Sequence, residues 1–440
     1  MSLLSRNPGL EVLPFDSAAR NEVRLCEVPQ ADGSTRRYVL PAALLPLVER
    51  FDGVLGTDEV IRAQAASAPA GPTEEDLHRL VREVLVPRGF LCAPGTGEAG
   101  LAAFPAGPSY LTFRFRLLSP ERVYPASRAL SVLFRPAVLA VMLTAIVAAH
   151  FAFYFSIAPG HALGIENLHG YAPLVLAAIV FSSAFVHEFG HAAAAAAYGC
   201  RRTAIGWGMY LHMMVFYTDL SEAWRLPRRQ RAVIDLGGIY FQSLVLLALL
   251  AWYGLTGSEI PLYAFVFTDL AILGALNPFL RLDGYWLVSD LLGIANLRAE
   301  SLRVLGAAAD RLRGRAPRPS ASPRLGNGTT AVLAVYAVTS TVFLAYICRI
   351  LVERFVVGLV SGYPRILAAF WDELSAATPA AGRIGSAGLE VLWRGLALVA
   401  MGLLLRRWAL ALWGSRPVAG LRRGAAARWA QARGTAAAHT

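Results

Sequence analysis

The sequence predicts a mainly α-helical membrane protein, with about six transmembrane helices behind a small soluble α+β domain of winged-helix-like order. Three observations predict it. Hydrophobic residues make up 56% of the chain and charged residues only 16%, a balance shifted away from soluble proteins. Apolar stretches at about 137–157, 172–197, 234–255, 261–279, 329–351 and 389–412 come close to the ~20 residues that a helix needs to cross a bilayer. The first 95 residues hold no such stretch and alternate short strand-like runs with amphipathic ones. At 440 residues the chain also exceeds the usual size of one domain.

In residues 1–95, Glu22–Pro29 and Thr35–Leu40 read as strands flanking Ala31-Asp32-Gly33, a hairpin signal. Ala42–Phe51 is apolar at helical spacing and stops at Asp52-Gly53. Thr57 caps a short helix. Thr73, followed by Glu74, Glu75 and Asp76, opens another, with Leu77, Leu80, Val81, Val84 and Leu85 on one side. Arg88–Leu91 closes the domain in a turn and a short strand. The N-terminus lacks a positive region followed by an apolar run, so no signal peptide is expected and the domain should stay in the cytosol. Residues 96–128 read as a Gly/Pro-rich linker, then a basic aromatic piece, Phe113–Arg128, lying along the membrane surface.

Charge placement orients the spans. The net charge is +11 and the chain has no lysine, so every basic side chain besides histidine is arginine. Loops 158–170 and 256–260 contain no Arg, whereas 219–233 holds four, 298–327 seven, and the tail after Trp413 five with no acid. Six spans of the cell membrane with both termini cytosolic place every Arg-rich segment on the cytosolic side, and the second span then runs from outside to inside. Arginine beside apolar spans points to topology and anionic headgroups. Nucleic acid is not expected as a partner, because no helix of residues 1–95 carries a concentrated basic face. Four scattered Cys without C-x-x-C spacing indicate neither a disulfide framework nor a structural zinc site. The expected organisation is 1–95 recognition domain, 96–128 linker, 129–297 membrane core, 298–328 basic loop, 329–413 C-terminal helices and 414–440 tail.

The second span contains His187-Glu188-Phe189-Gly190-His191. Two His four residues apart project from one helix face, where both can bind one Zn²⁺, and the Glu between them can act as general base on water. Ionisable groups are costly in lipid and mark a functional site by default. A catalytic zinc takes three protein ligands, and the third is expected from Asn277–Gly284 at the end of the fourth span. There Pro278 breaks the helix, Asp283 reaches the depth of the two His, Gly284 permits a tight turn, and Asn277 offers a neutral donor. Asp269, in mid-span, is either a partner behind a ligand or the alternative ligand. Thr203–Asp219 is apolar but short and Gly-interrupted, which suggests a re-entrant strand or hairpin lining a cavity. Its Tyr210, His212 and Tyr217 are candidate substrate-lining residues, and its open edge offers pairing to an extended peptide. Asp219 and Asp290 are assigned to caps or the interface, His161 and His169 to an outer loop too far away. The six alanines after His191 are assigned to close helix packing.

HEFGH combined with Asp283-Gly284 on a later span resembles the site-2 protease family of intramembrane zinc metalloproteases, over about residues 172–297. Tyr217-Thr218-Asp219, Trp224–Arg229 and Asn277–Asp290 are similar to its peptide zinc metalloprotease subgroup. The resemblance implies a site-2-protease-like core, one zinc per chain on His187, His191 and Asp283, and Glu188 as base for peptide-bond hydrolysis. Here Asn277 directly precedes Pro278, whereas the family places its Asn further upstream; that leaves an oxyanion or substrate-positioning role for Asn277 open. No stretch accommodates an inserted PDZ domain. Arg37–Leu40, Leu47–Gly53 and Arg88–Leu91 look like a PqqD-like precursor-peptide recognition domain, which implies capture of a leader peptide by strand addition. The resulting expectation is maturation of a ribosomally made precursor peptide, with peptide-modifying enzymes or an exporter as further partners. Cleavage of a membrane-anchored signalling protein such as an anti-sigma factor is the alternative, and a non-proteolytic peptide-binding or export partner is a third.

Overall fold

The computed structural model describes residues 3–18, 23–29, 35–67, 72–93, 111–164, 167–168, 171–210, 213–314, 326–350, 353, 357–376 and short pieces between 383 and 406. The chain forms two compact units. The first comprises the described residues of 1–109, 115–207 and 216–341; the second those of 110–114, 208–215 and 342–440.

The N-terminal part builds two small antiparallel sheets. Strands β1 (Leu3–Arg6), β2 (Glu11–Pro14), β3 (Val23–Pro29) and β4 (Thr35–Pro41) come first, followed by a 3-10 turn (Ala42–Leu44) and α1 (Leu45–Glu49). Then come β5 (Asp52–Gly56), α2 (Thr57–Ser67), α3 (Glu74–Leu80) and β6 (Leu91–Cys92). One sheet has the order β5-β1-β6 and the other β2-β3-β4. The two hairpin strands expected from sequence are β3 and β4, paired from Val23↔Pro41 to Pro29↔Thr35, and the short closing strand is β6; the Ala31-Asp32-Gly33 signal lies outside the described residues. Strands β1, β2 and β5 add to that expectation. They are four or five residues long and largely half-exposed, so they show no clean inside–outside alternation. Thr73 caps α3, its side chain accepting from the Asp76 N–H. Leu47, Phe51, Ile61, Leu85 and Phe90 fill the core at 2% exposure or less.

Glu27, in β3, is 3% exposed and ties this domain to the rest of its unit. It accepts from Arg37 Nε at 2.7 Å and from Arg225 Nε at 2.6 Å. Burial alone would raise its carboxyl pKa, but the Arg225 and Arg37 guanidiniums hold it below the ordinary 4.5. A depressed folded value means that this contribution to stability is whole above that pH and is lost as pH falls below it. Acidification from about pH 6 to about pH 3.5 should therefore lower the melting temperature of wild type more steeply than that of Glu27→Gln. Parallel melting curves for the two proteins across that range would refute the assignment.

Further along come β7 (Leu111–Leu118), α4 (Pro120–Leu130), α5 (Pro136–Ala152), α6 (Ala172–Ala197), β8 (Ile205–Tyr210) and β9 (Met213–Thr218). The helices α7 (Arg228–Thr256), α8 (Ile260–Ala275), α9 (Asp283–Leu292), α10 (Leu297–Leu312), α11 (Asn327–Ile350) and α12 (Gly358–Leu374) complete the described elements. The chain is mainly helical, and among the described residues four helical stretches are long and apolar enough to cross a membrane: Pro136–Gly160, Ala172–Ala197, Arg228–Thr256 and Asn327–Ile350. The fourth expected span, 261–279, is shorter. α8 has 16 residues, about 24 Å against a hydrocarbon core of about 30 Å, and it stops ahead of Asn277-Pro278. The expected sixth span, 389–412, falls largely outside the described residues. Two segments read as non-helical or interfacial differ: Leu297–Leu312 of the basic loop is helical, and Leu111–Leu118 is a strand beside β8, which lies between β7 and β9.

α7 is the central helix of its unit, with α6 and α8 packed along it. It meets α6 backbone to backbone: a Cβ on Gly190 would lie 2.2 Å from the Gly237 carbonyl oxygen. Ala193, Ala194 and Ala195, fully buried, pack near this crossing in clusters with Phe241 and Ile234 of α7, as small residues do at tight helix crossings; Ala192 is buried with Val123 and Ile205 instead.

Candidate metal centre

Helical periodicity brings His187 and His191 to the face of α6 that packs on α7, where they are 8% and 4% exposed. Their Nε2 atoms lie 3.0 Å apart. Asp283, the first residue of α9, places Oδ2 2.8 Å from His187 Nε2 and Oδ1 3.4 Å from His191 Nε2. One ligand atom from each residue falls within 4.8 Å of the others. A tetrahedral metal with bonds of about 2.0–2.1 Å has ligand atoms about 3.3 Å apart, close to these spacings.

The groups behind the imidazoles test whether the residues fit a metal. His191 Nδ1 lies 2.7 Å from the Ile234 carbonyl oxygen, which can only accept. His187 Nδ1 lies 2.9 Å from Gln242 Oε1, and Gln242 Nε2 points to Ser183 Oγ at 3.5 Å. Each imidazole thus donates through Nδ1–H, leaving its Nε2 lone pair facing the other and the Asp283 carboxylate. Two lone pairs and an anion converging in a buried space suit a cation, and two nitrogens with one oxygen are a donor set that fits zinc. The space is shaped for the ring as well. A Cβ on Gly238 would lie 2.4 Å from His187 Nε2, so only glycine there admits the imidazole in this pose.

Glu188 is 7% exposed. The Thr218 hydroxyl, at the end of β9, lies 2.7 Å from Glu188 Oε2 and 3.1 Å from the Glu188 carbonyl oxygen. Gly284 serves close approach rather than turn conformation. It is helical in α9, and a Cβ there would lie 2.0 Å from the Leu276 carbonyl oxygen.

The other candidates are placed elsewhere or differently. Asp269 is not part of the three-residue cluster. Its carboxylate lies 3.4 Å from His150 Nε2 and accepts from the Tyr154 hydroxyl. Asn277 Oδ1 accepts from the Phe279 N–H at 2.8 Å, shaping the turn into Pro278. Tyr217, half-buried on β9, packs its ring on Gly206. Tyr210 is buried in β8. His212 and His169 lie outside the described residues. Asp219 accepts from the Ser221 N–H, Asp290 pairs with Arg231, and His161 contacts Tyr253.

Sequence reasoning missed Gln242, Ser183, Thr218 as a partner of Glu188, and Gly238. Gln242 had a usable signal: an amide within the apolar run of α7 carries the same cost that singled out HEFGH. Comparison with family models, with curated proteins and with solved structures finds no match to the chain.

Proposed function

We propose that this chain is an intramembrane zinc metalloprotease of the site-2 type, crossing the cell membrane six times with both termini in the cytosol, and that it matures a ribosomally made precursor peptide. The observation that carries the reading is the convergence of His187, His191 and Asp283 beside Glu188 on an apolar helix. Bound by those three residues, zinc supplies Lewis-acid activation of water and of a peptide carbonyl. Glu188 Oε2 accepts the proton of the attacking water and returns it to the leaving nitrogen. The Thr218 hydroxyl holds that oxygen in place. Burial of Glu188 among apolar helices limits competing water and strengthens each polar contact.

Thr218 closes β9, which lies at the edge of its sheet. An extended substrate main chain pairs there, next to the base. A substrate helix has to unwind first, because its backbone groups are already satisfied internally. The N-terminal domain holds the leader by strand addition on the cytosolic side. Its attachment through Glu27 and Arg225 keeps the captured peptide near the start of α7.

Expression of wild type and Glu188→Gln in a native host, followed by mass spectrometry of released peptides, tests the reading. Glu188→Gln should retain one zinc per chain and slow cleavage by about 10²–10⁴-fold, the usual contribution of a positioned base. An identical peptide profile in the two strains would rule out proteolysis. A changed membrane-anchored regulator with no changed short peptide would redirect the substrate to signalling proteins.

A further inference from the structure

Behind the ligand cluster, one buried guanidinium joins three parts of the molecule. Arg231 lies in the first turn of α7 and is 4% exposed. Its Nε donates to Asp290 Oδ1 at 2.8 Å, Nη1 to the Leu226 carbonyl at 2.8 Å, and Nη2 to the Asp16 carbonyl at 3.2 Å. Its Cζ sits 4.8 Å from the centre of the Phe15 ring. Phe15 and Asp16 follow directly after β2 of the N-terminal domain, whereas Asp290 belongs to α9, whose first residue is Asp283. Two residues on, the Ala18 N–H donates to the Gly293 carbonyl at 2.9 Å, at the far end of α9.

Segment 15–18 therefore grips both helices that hold the cluster in place. It holds α9, which carries Asp283. Through Arg231 it also holds the start of α7, whose Ile234 carbonyl and Gln242 side chain receive the two imidazoles. A buried guanidinium that loses a carbonyl acceptor is left with an unsatisfied N–H and the desolvation penalty of that group, so the contact of segment 15–18 and the placement of Arg231 depend on each other. Tethering a domain needs only the contact of Glu27 with Arg225. The chain from Phe15 to Asp283 is additional and runs toward the chemistry.

We propose that segment Phe15–Ala18 transmits the state of the N-terminal domain to the metal centre, with Arg231 as the positioning residue. The proposal rests on the zinc site argued above. β2, which directly precedes the segment, is an edge strand of the order β2-β3-β4. A peptide strand added at β2 orders the segment, steadies α9 and α7, and tightens the zinc site. The domain is then an activator of the centre as well as a tether. Binding linkage is reciprocal: whatever ordering of 15–18 does for zinc, zinc does for 15–18. The test thus needs no identified peptide.

Full-length protein in phosphatidylcholine–phosphatidylglycerol nanodiscs is stripped with chelator and reloaded with zinc. Hydrogen exchange is then followed in fragments covering residues 11–18. In wild type, zinc should slow exchange at 15–18 about fivefold or more, the low end of ordinary coupling. Arg231→Lys keeps the charge but cannot reach three acceptors, and Phe15→Ala removes the ring. Both should lose the zinc dependence and bind zinc about tenfold more weakly, as when a group supporting a ligand is removed. Arg79→Ala, on the exposed side of α3, should behave as wild type. Unchanged exchange at 15–18 in wild type that does hold one zinc per chain would overturn this proposal alone. So would an intact zinc response in Arg231→Lys, which carries the test if Phe15→Ala misfolds. A wild type that takes up no zinc removes the proposal together with the site on which it rests.

Discussion

Gly238→Ala should abolish the zinc binding proposed for this site while leaving the protein folded. The added methyl would lie 2.4 Å from His187 Nε2 and 2.5 Å from both ring carbons beside it, and one side has to give. α7 has no room to retreat. Gly237, one residue earlier, is pressed on α6, where a Cβ of its own would lie 2.6 Å from the Gly190 carbonyl oxygen. The imidazole must therefore swing away, abandoning both Gln242 Oε1 and the ligand cluster. Losing a support behind a ligand costs about 10–100-fold in metal affinity, and displacing the ligand itself should cost about 100-fold or more. Global stability should change little. Overpacking costs about 1–3 kcal/mol, and replacing a mid-helix glycine by alanine returns roughly 1 kcal/mol. Zinc content after a graded chelator challenge, read beside the melting temperature, measures both. Full zinc retention in a folded Gly238→Ala protein would mean that His187 does not bind the metal in this orientation.

Asp283→Asn should have an equally large effect, and its contrast with Asp269→Asn identifies the third ligand. Asp283 is the anionic member of the cluster, 2.8 Å from His187 Nε2. An amide in its place leaves the cation without a countercharge in a buried site, so zinc affinity should again fall about 100-fold or more, beyond the effect of losing a supporting group. Asp269 contacts His150 and Tyr154 instead. An amide oxygen can still accept from the Tyr154 hydroxyl, so Asp269→Asn should keep one zinc per chain. The opposite pattern, zinc lost with Asp269→Asn and kept with Asp283→Asn, would transfer the ligand to α8.

Much of the membrane part was readable because long apolar helices announce themselves. α6 begins and ends at Ala172 and Ala197, as the apolar run does, and α11 follows its run within two residues. Short elements were harder to read. β1 and β2 have four residues each, too few for alternation to show, and β7 carries arginines that read as an interfacial signature. α8 looked longer than it is because apolarity continues past the point where Asn277 and Pro278 turn the chain. The interruption was visible as a proline, but its structural consequence is the placement of Asp283 at the start of a new helix.

The sequence alone determined that His187 and His191 share a helix face and that Glu188 accompanies them in an apolar run. Four-residue spacing on a helix fixes the first, and the cost of charge among apolar residues makes the second informative. The sequence favoured Asp283 and kept Asp269 as the alternative; the tertiary structure brings Asp283 to the two imidazoles and Asp269 to His150 and Tyr154. Tertiary structure alone decided that Gln242, 55 residues from His187, and the Ile234 carbonyl, 43 from His191, turn both Nε2 atoms inward. Thr218, 30 residues from Glu188, and Arg231, 215 from Asp16, belong to the same class. Local spacing sets directions within one helix through backbone geometry. Partners this distant meet only where close packing allows, as at Gly190, Gly237 and Gly238, and no short-range pattern records that contact.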